Sequence, residues 1–366
     1  MKIIHTSDWH LGRYLHDYPL LECQEFFLKW FIEFLKNNKH DAVIIAGDIF
    51  DRSVPPAEAV ALFGWFLAEF NKLGTSDLFV IAGNHDSADR LAYCSEILQN
   101  NRIYIYGGRE HAARPVILTK DGINYYFYML PFLSGSMPDE TEGSSEFLEI
   151  LKLIETKKSK SSVNIFIGHA FVAGSEISES ERVYVGGLAS VSKTVFDHFD
   201  YTAMGHLHKG QKISGKAYYS GSPLKYSFSE FKDDKHLLSI EFLKGDISIE
   251  EIPVPQKIEM KRISDKFENF LNDKKYEEVR DCFLELELSD DGIVESPVSV
   301  LKNRFPYLLS VRQNMSCISS GGDDIGEFNE NKSPLEYLEN FYEYAAGRKP
   351  EKREIQLFKD LSGDIH

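Results

Sequence analysis

Five short apolar runs in the first 208 residues each end in a small cluster of Gly, Asp, Asn and His, and this repeated pattern restricts the fold more than anything else in the chain. Lys2-Ile3-Ile4-His5 leads into Asp8-x-His10. Residues 42–46 lead into Gly47-Asp48-x-x-Asp51-Arg52, and residues 78–82 into Gly83-Asn84-His85-Asp86. Residues 164–167 precede Gly168-His169, and residues 201–204 precede Gly205-His206-x-His208. Short β-rich runs bounded by glycine predict buried strands. Polar groups just past the carboxyl ends of strands lie where open α/β sheets place their sites. The glycines at 47, 83, 168 and 205 are expected to let the backbone turn sharply and approach a bound group closely.

Taken singly, each motif has a structural reading. Asn and Asp tolerate turns, and His206 and His208 alternate as two residues on one strand face would. Taken together, the motifs supply carboxylate, amide and imidazole donors in an order that packing alone does not explain. Such donors without thiolate suit Mn²⁺, Fe²⁺ or Zn²⁺. Two divalent cations ~3.5–4 Å apart can clamp the attacking and leaving oxygens of a phosphoryl displacement.

The motif set resembles that of the calcineurin-like metallophosphoesterases. The opening MKIIHTSDWHLGR, the string GDIFDRSVPP and the string AGNHDS are similar to those of the SbcD-type DNA nucleases within that family. The resemblance is strong over residues 1–255, moderate over 256–315 and weak beyond. It implies an α/β fold: a two-sheet sandwich flanked by helices, a small α/β capping domain over 256–318 and a C-terminal helical segment over 334–366. It also implies a ligand set. Asp8, His10 and His208 would hold a first metal, Asp48 would bridge, and Asn84, His169 and His206 would hold a second. The two divalent ions are expected to be Mn²⁺. His85, beside a ligand, is the expected proton donor or transition-state stabiliser. Asp86 is expected to orient a histidine.

Archaeal and eukaryotic relatives place His three residues after the bridging Asp, whereas Asp51 stands here, as in the bacterial branch. Asp51 and Arg52 form either a supporting ion pair or a simple salt bridge at a helix approach. The implied activity is Mn²⁺-dependent cleavage of DNA ends and hairpins in repair and recombination. The implied assembly is a heterotetramer of two nuclease chains with an SbcC-type ATPase, in the cytoplasm. The chain has no Walker-type phosphate loop, so ATP dependence would come from that partner. The alternatives are a phosphatase or small-nucleotide phosphodiesterase on the same scaffold, or a weakly active DNA-binding scaffold. Phosphatases usually carry Arg before the Gly-Asn-His triplet and Glu after it, where Ala82 and Asp86 stand here.

The net charge of −16, from 57 acidic against 41 basic residues, runs against a free-standing DNA-binding protein, because phosphate neutralisation supplies most non-specific affinity. Bound cations, a basic spot such as Lys157-Lys158-x-Lys160, or a partner subunit would reconcile the two. The lysine run is equally a solvated helix end. No stretch of about 18 apolar residues predicts a membrane span. The immediate entry into a strand leaves no room for a signal peptide. Cys23, Cys94, Cys282 and Cys317 lack C-x-x-C spacing and read as isolated thiols.

Helical spacing predicts a helix over 20–36, Pro55-Pro56 opens a second over 57–70, and a third is expected over 89–98 after the Gly83-Asn84-His85-Asp86 motif. Asp121-Gly122 predicts a hairpin within 116–130. Residues 134–146 read as a loop, and 207–252 as antiparallel strands completing a second sheet. After Pro253-Val254-Pro255 a small α/β unit is expected, with helices at 267–276 and 298–305 and strands at 282–288 and 308–311. Residues 319–333 read as a linker. The helix expected at 334–346 carries Leu335, Leu338, Phe341, Tyr342 and Ala345 on one face. It packs either on its own domain or, by the resemblance, on the ATPase.

Overall fold

The computed structural model describes residues 1–133, 145–159, 161–178, 181, 191–290, 292–313, 334–346 and 348–362. Residues 1–314 form one compact unit and residues 315–366 a second.

Two six-stranded sheets carry the five motif strands. The first runs in the order Ile247–Pro253, His236–Phe242, Lys2–Thr6, Ala42–Ile45, Asp77–Ile81, Ile103–Tyr106. The second runs Gln211–Ser214, Ala217–Tyr219, Tyr201–Gly205, Val163–His169, Ile123–Leu130, Val116–Lys120. The motif strands within each sheet are parallel, so their carboxyl ends open to the same side. This is the expected two-sheet sandwich.

Alternation along the strands explains the layering. Ile3, Ile44, Phe79 and Ile81 face Phe127, Ile165, Ile167 and Tyr201 of the other sheet, and Phe79 stacks on Phe127 at 4.2 Å. Ile4, Val43, Ile45 and Val80 point the other way, to helices Leu21–Asn37 and Ala57–Leu73. Tyr128, Phe166 and Met204 of the second sheet pack with Phe147, Leu151 and Ile154 of helix Ser145–Lys157.

Several expectations change. The helix expected over 89–98 is two short pieces, Ala88–Leu91 and Ser95–Leu98, around an exposed Tyr93. Only Leu91 of these pieces is buried, so no apolar stripe holds one continuous helix in place. The strands of 207–252 are split between sheets. Gln211–Ser214 and Ala217–Tyr219 join the second, while His236–Phe242 and Ile247–Pro253 cross over to cover the edge of Lys2–Thr6 in the first. Ala217–Tyr219 is parallel, not antiparallel, to Tyr201–Gly205. Asp121 and Gly122 do form a hairpin turn, both at positive φ. Ser145 and Glu146 are helical rather than loop, and residues 134–144 lie outside the described residues.

The unit after residue 255 is a three-stranded parallel sheet, Met260–Asp265, Phe283–Leu288 and Leu308–Gln313. Its first strand was not expected, and its helices, Phe267–Asn272 and Pro297–Leu301, are shorter than expected. It packs on the core through Tyr18, whose ring lies 5.0 Å from Phe283 and 5.6 Å from Tyr307. The linker at 319–333 lies outside the described residues. Beyond it, helix Pro334–Ala346 forms as expected, with Phe341 exposed, and a further helix, Lys352–Ser362, follows.

Candidate metal centre

The first motif shows how local conformation builds the site. Trp9 turns into the helical layer, 4.9 Å from Phe66 and 5.7 Å from Phe27, and donates its Nε1–H to Thr6 Oγ1. Its neighbours Asp8 and His10 turn the opposite way, and both sit at positive φ, 55° and 44°. Gln24 ties this turn to the first helix, accepting from Gly12 N and donating to the His10 carbonyl at 2.7 Å. Asp48 (φ 51°) and His206 (φ 112°) share the left-handed region. A non-glycine residue there is strained, and such strain gathers at functional sites.

Of the four motif glycines, only Gly47 has a positive φ. The sharp turns fall on the ligand candidates themselves, which corrects the expectation. Gly83 is needed for close approach: a Cβ there would lie 2.1 Å from Asp48 Oδ1 and 2.3 Å from Asp48 N.

All seven expected ligands converge at the carboxyl ends of the sheets. Asp8, His10 and His208 offer donor atoms within 4.8 Å of one another, and so do Asp8, Asp48 and His169. Asp48 Oδ2 lies 3.6 Å from His10 Nε2 and 3.5 Å from His169 Nε2, between the two groups. Asn84 Oδ1 is 2.9 Å from both His169 Nε2 and His206 Nδ1. Asp8 also accepts from His206 N at 3.0 Å, which fixes the fifth motif against the first.

The donor orientation fits divalent cations. His169 Nδ1 lies 2.8 Å from the Ala46 carbonyl and donates to it. In the neutral ring this turns the Nε2 lone pair toward Asn84 Oδ1, which is itself an acceptor. His10 Nε2 and His208 Nε2 face each other at 3.1 Å, with their Nδ1 atoms turned to Asp51 and Glu230 at 3.7 and 3.6 Å. His206 Nε2 is buried without a hydrogen-bond partner. A divalent cation among these atoms would take all of their lone pairs at once. Metal–ligand bonds of about 2.0–2.2 Å give ligand–ligand edges of roughly 3.0–3.5 Å, the spacing seen here.

The electrostatics agree. Burial pushes Asp8 up to about 7 against the pull of His169, with the Asp48 charge adding to the rise. Burial would lower His169, but Asp48 outweighs it and raises the imidazole to about 9. Without a cation, a proton on His169 partly offsets the buried carboxylates.

His85 forms a third donor group with His10 and Asp51, apart from Asp8. Its backbone N–H donates to Asp48 Oδ1 at 2.9 Å, and its Nδ1 lies 2.8 Å from the Asp51 carbonyl. Asp86, expected to orient a histidine, accepts from the backbone N–H groups of Ile49, Phe50 and Gly83 at 2.9–3.0 Å, tying the second motif to the third. Asp51 pairs with Arg13 at 3.3 Å more closely than with the exposed Arg52 at 4.0 Å.

The structure adds residues that the sequence did not announce. Tyr226 lies 5.5 Å from both His10 and His208, under the Arg13 guanidinium. Glu181, Glu230 and Lys235 are buried around His208. Burial would raise the Glu230 carboxyl, but Lys235 and His208 outweigh it and hold it at about 2. No local pattern marks these positions, because each acts from a distant turn. Lys157 is the last residue of its helix, and Lys158 donates to the His198 carbonyl. Lys160 lies outside the described residues.

The family model for calcineurin-like phosphoesterases matches residues 1–210. The chain belongs to the calcineurin-like phosphoesterases, a family of metal-dependent hydrolases. Among solved structures it is similar to a hypothetical protein from Thermus thermophilus, at 12% identity and TM-score 0.40, over 70% of this chain and 100% of that one. A dimetal phosphatase from Danio rerio matches at 12% identity and TM-score 0.43, over 70% and 97% of the two chains. The NAD nucleotidase of Haemophilus influenzae matches at 14% identity and TM-score 0.37, over 69% and 49%. Among the described residues no helix is long and apolar enough to cross a membrane.

Proposed function

We propose that this chain is a Mn²⁺-dependent DNA nuclease of the SbcD type, acting with an SbcC-type ATPase in the processing of DNA ends. The observation that carries the reading is the meeting of two donor groups at Asp48, with His85 held beside them by Asp48 and Asp51. Asp8, His10 and His208 would hold one cation, and Asn84, His169 and His206 the other. Bound there, the cations would supply Lewis-acid polarisation of a phosphoryl oxygen and lower the pKa of water. The Nδ1–H of His85 goes to the Asp51 carbonyl, so Nε2 is the nitrogen that can carry a proton to the leaving oxygen.

A large substrate is favoured by the segment 223–231. It reaches the site with Tyr226 and Glu230. It also holds the three-stranded unit: the Pro223 carbonyl accepts from Gln256, Lys225 pairs with Glu259 at 3.8 Å, and Phe231 lies under Arg262. A unit tied to the segment that carries Tyr226 and Glu230 would add contact area for a substrate larger than a small phosphoester. The acidic balance of the chain leaves much of the DNA grip to a partner, and the C-terminal helices offer a surface for it.

The test is a nuclease assay with Mn²⁺ on duplex DNA ends, with and without an SbcC-type ATPase, against a small aryl phosphate in parallel. Cleavage of DNA stimulated by the ATPase supports the reading. Turnover of the phosphomonoester alone would favour the phosphatase alternative.

A further inference from the structure

The buried charges around His208 are not explained by stability. Glu230 is fully buried, and Lys235 is 6% exposed. Replacing such a pair by well-packed apolar residues is often neutral or stabilising, so burial of two charges is weak support for a fold. These two are aimed at one residue. Glu230 Oε1 lies 3.6 Å from His208 Nδ1. Lys235 Nζ donates to Glu230 Oε2 at 2.6 Å, to the His208 carbonyl at 2.8 Å and to Ser222 Oγ at 3.1 Å. The His208 N–H donates to Glu181, itself buried.

The elements involved belong to different parts of the sandwich. His208 follows the strand Tyr201–Gly205 of the second sheet. Lys235 precedes the strand His236–Phe242 of the first, and Glu230 closes the short turn Phe228–Glu230. His208 is thus fixed at its backbone N–H, its carbonyl and its ring by groups from three separate segments.

We propose that Glu230 and Lys235 are a positioning pair that fixes His208 as a metal ligand through Nε2, an inference that rests on the two-metal reading of the site. Glu230 Oε1 faces Nδ1 at 3.6 Å, which turns the Nε2 side of the ring toward Asp8 and His10. Lys235 holds the carboxylate in place where water does not reach and grips the His208 backbone with the same ammonium group. A carboxylate behind a ligating imidazole fixes its ring and raises its basicity, and its loss costs about 10- to 100-fold in metal affinity.

The experiment titrates Mn²⁺ into the full-length chain by calorimetry and follows the metal-free protein by circular dichroism. Two variants are compared with the parent. Glu230→Asp keeps the charge beside Lys235 but withdraws the oxygen from Nδ1. The double change Glu230→Gln with Lys235→Met removes both charges at nearly constant volume. In each, one of the two Mn²⁺ affinities is expected to fall about 10- to 100-fold, with the other unchanged and the metal-free spectrum retained. Two Mn²⁺ bound at parental affinity in a folded Glu230→Asp protein would overturn the proposal and leave the phosphoesterase reading intact. A parental chain that binds no divalent cation would overturn that reading and the proposal with it.

Discussion

The Nε2 atoms of His10 and His208 face each other at 3.1 Å, although 198 residues separate them in the chain. Each ring has its other nitrogen turned toward a carboxylate, Asp51 for His10 and Glu230 for His208. Either Nε2 can donate to the other in the metal-free protein, and the two together can ligate one shared cation.

Asp48 joins the two donor groups, with one oxygen between His10 and His169 and the other accepting from His85 N. Asp48→Ala is expected to abolish both metal binding and hydrolysis. Inductively coupled plasma mass spectrometry on the dialysed variant checks the first and a phosphodiesterase assay the second. Two metals retained at normal activity would refute the bridging role.

His85 separates binding from chemistry. His85→Gln should keep both metals: its Nδ1 lies on the Asp51 carbonyl, and the donor group it shares with His10 and Asp51 contains neither Asp8 nor Asp48. Turnover should fall by about 10²- to 10⁴-fold, the usual weight of a general acid. If metal occupancy falls as well, His85 is a ligand.

Gly83→Ala tests the close approach of two motifs. The new methyl would press on both the carboxylate and the backbone nitrogen of Asp48, and the nitrogen cannot retreat without moving the strand end. A displacement of this kind costs about 10²-fold in kcat/KM. The expected result is that loss together with reduced metal occupancy. Parental kinetics would show that the turn relaxes freely.

His5 joins the sheets, with Nδ1 2.9 Å from Tyr201 Oη and Nε2 3.2 Å from the Met204 carbonyl. Burial lowers its pKa from the ordinary 6.5 to about 3. A folded value below the unfolded one means that the unfolded chain binds the proton first. The His5 contribution is therefore complete above pH 6.5 and is lost as pH falls from 6.5 toward 3. Between pH 7.5 and 5.5 that amounts to about 1.4 kcal/mol. Urea unfolding of the parent and of His5→Gln, both with Mn²⁺ present, should show their stability difference shrinking by this amount at pH 5.5. An unchanged difference would mean that His5 is not held neutral.

Residues 315–366 form the second compact unit, and Phe341 and Leu357 in their helices are exposed. An amphipathic helix of this kind suits a helix-in-groove contact. Removing residues 330–366 should leave Mn²⁺-dependent cleavage of simple phosphodiesters intact and remove ATP-stimulated cleavage of duplex DNA. Co-purification of the truncated chain with the ATPase at full affinity would place the docking surface elsewhere.

The sequence by itself determined the five strands, the sandwich they form and the donor residues at their ends. It could do so because a buried strand is an unbroken apolar run, and each donor lies within a few residues of the run that delivers it. Periodicity likewise marked the helix beginning at Leu21, and Pro55-Pro56 the one beginning at Ala57, both of whose apolar faces pack on the first sheet. The tertiary structure alone decided what sits behind the donors. Glu230 reaches His208 from a turn 22 residues away, Asp51 pairs with Arg13 and faces His10 as well as Arg52, and Asp86 serves three backbone amides. It also decided that His236–Phe242 would cross to the first sheet, since an antiparallel hairpin reads the same whichever edge it covers. Local order in the chain carries strands, helices and the residues attached to them. Contacts between distant turns depend on how those elements pack, and no short stretch of sequence encodes that.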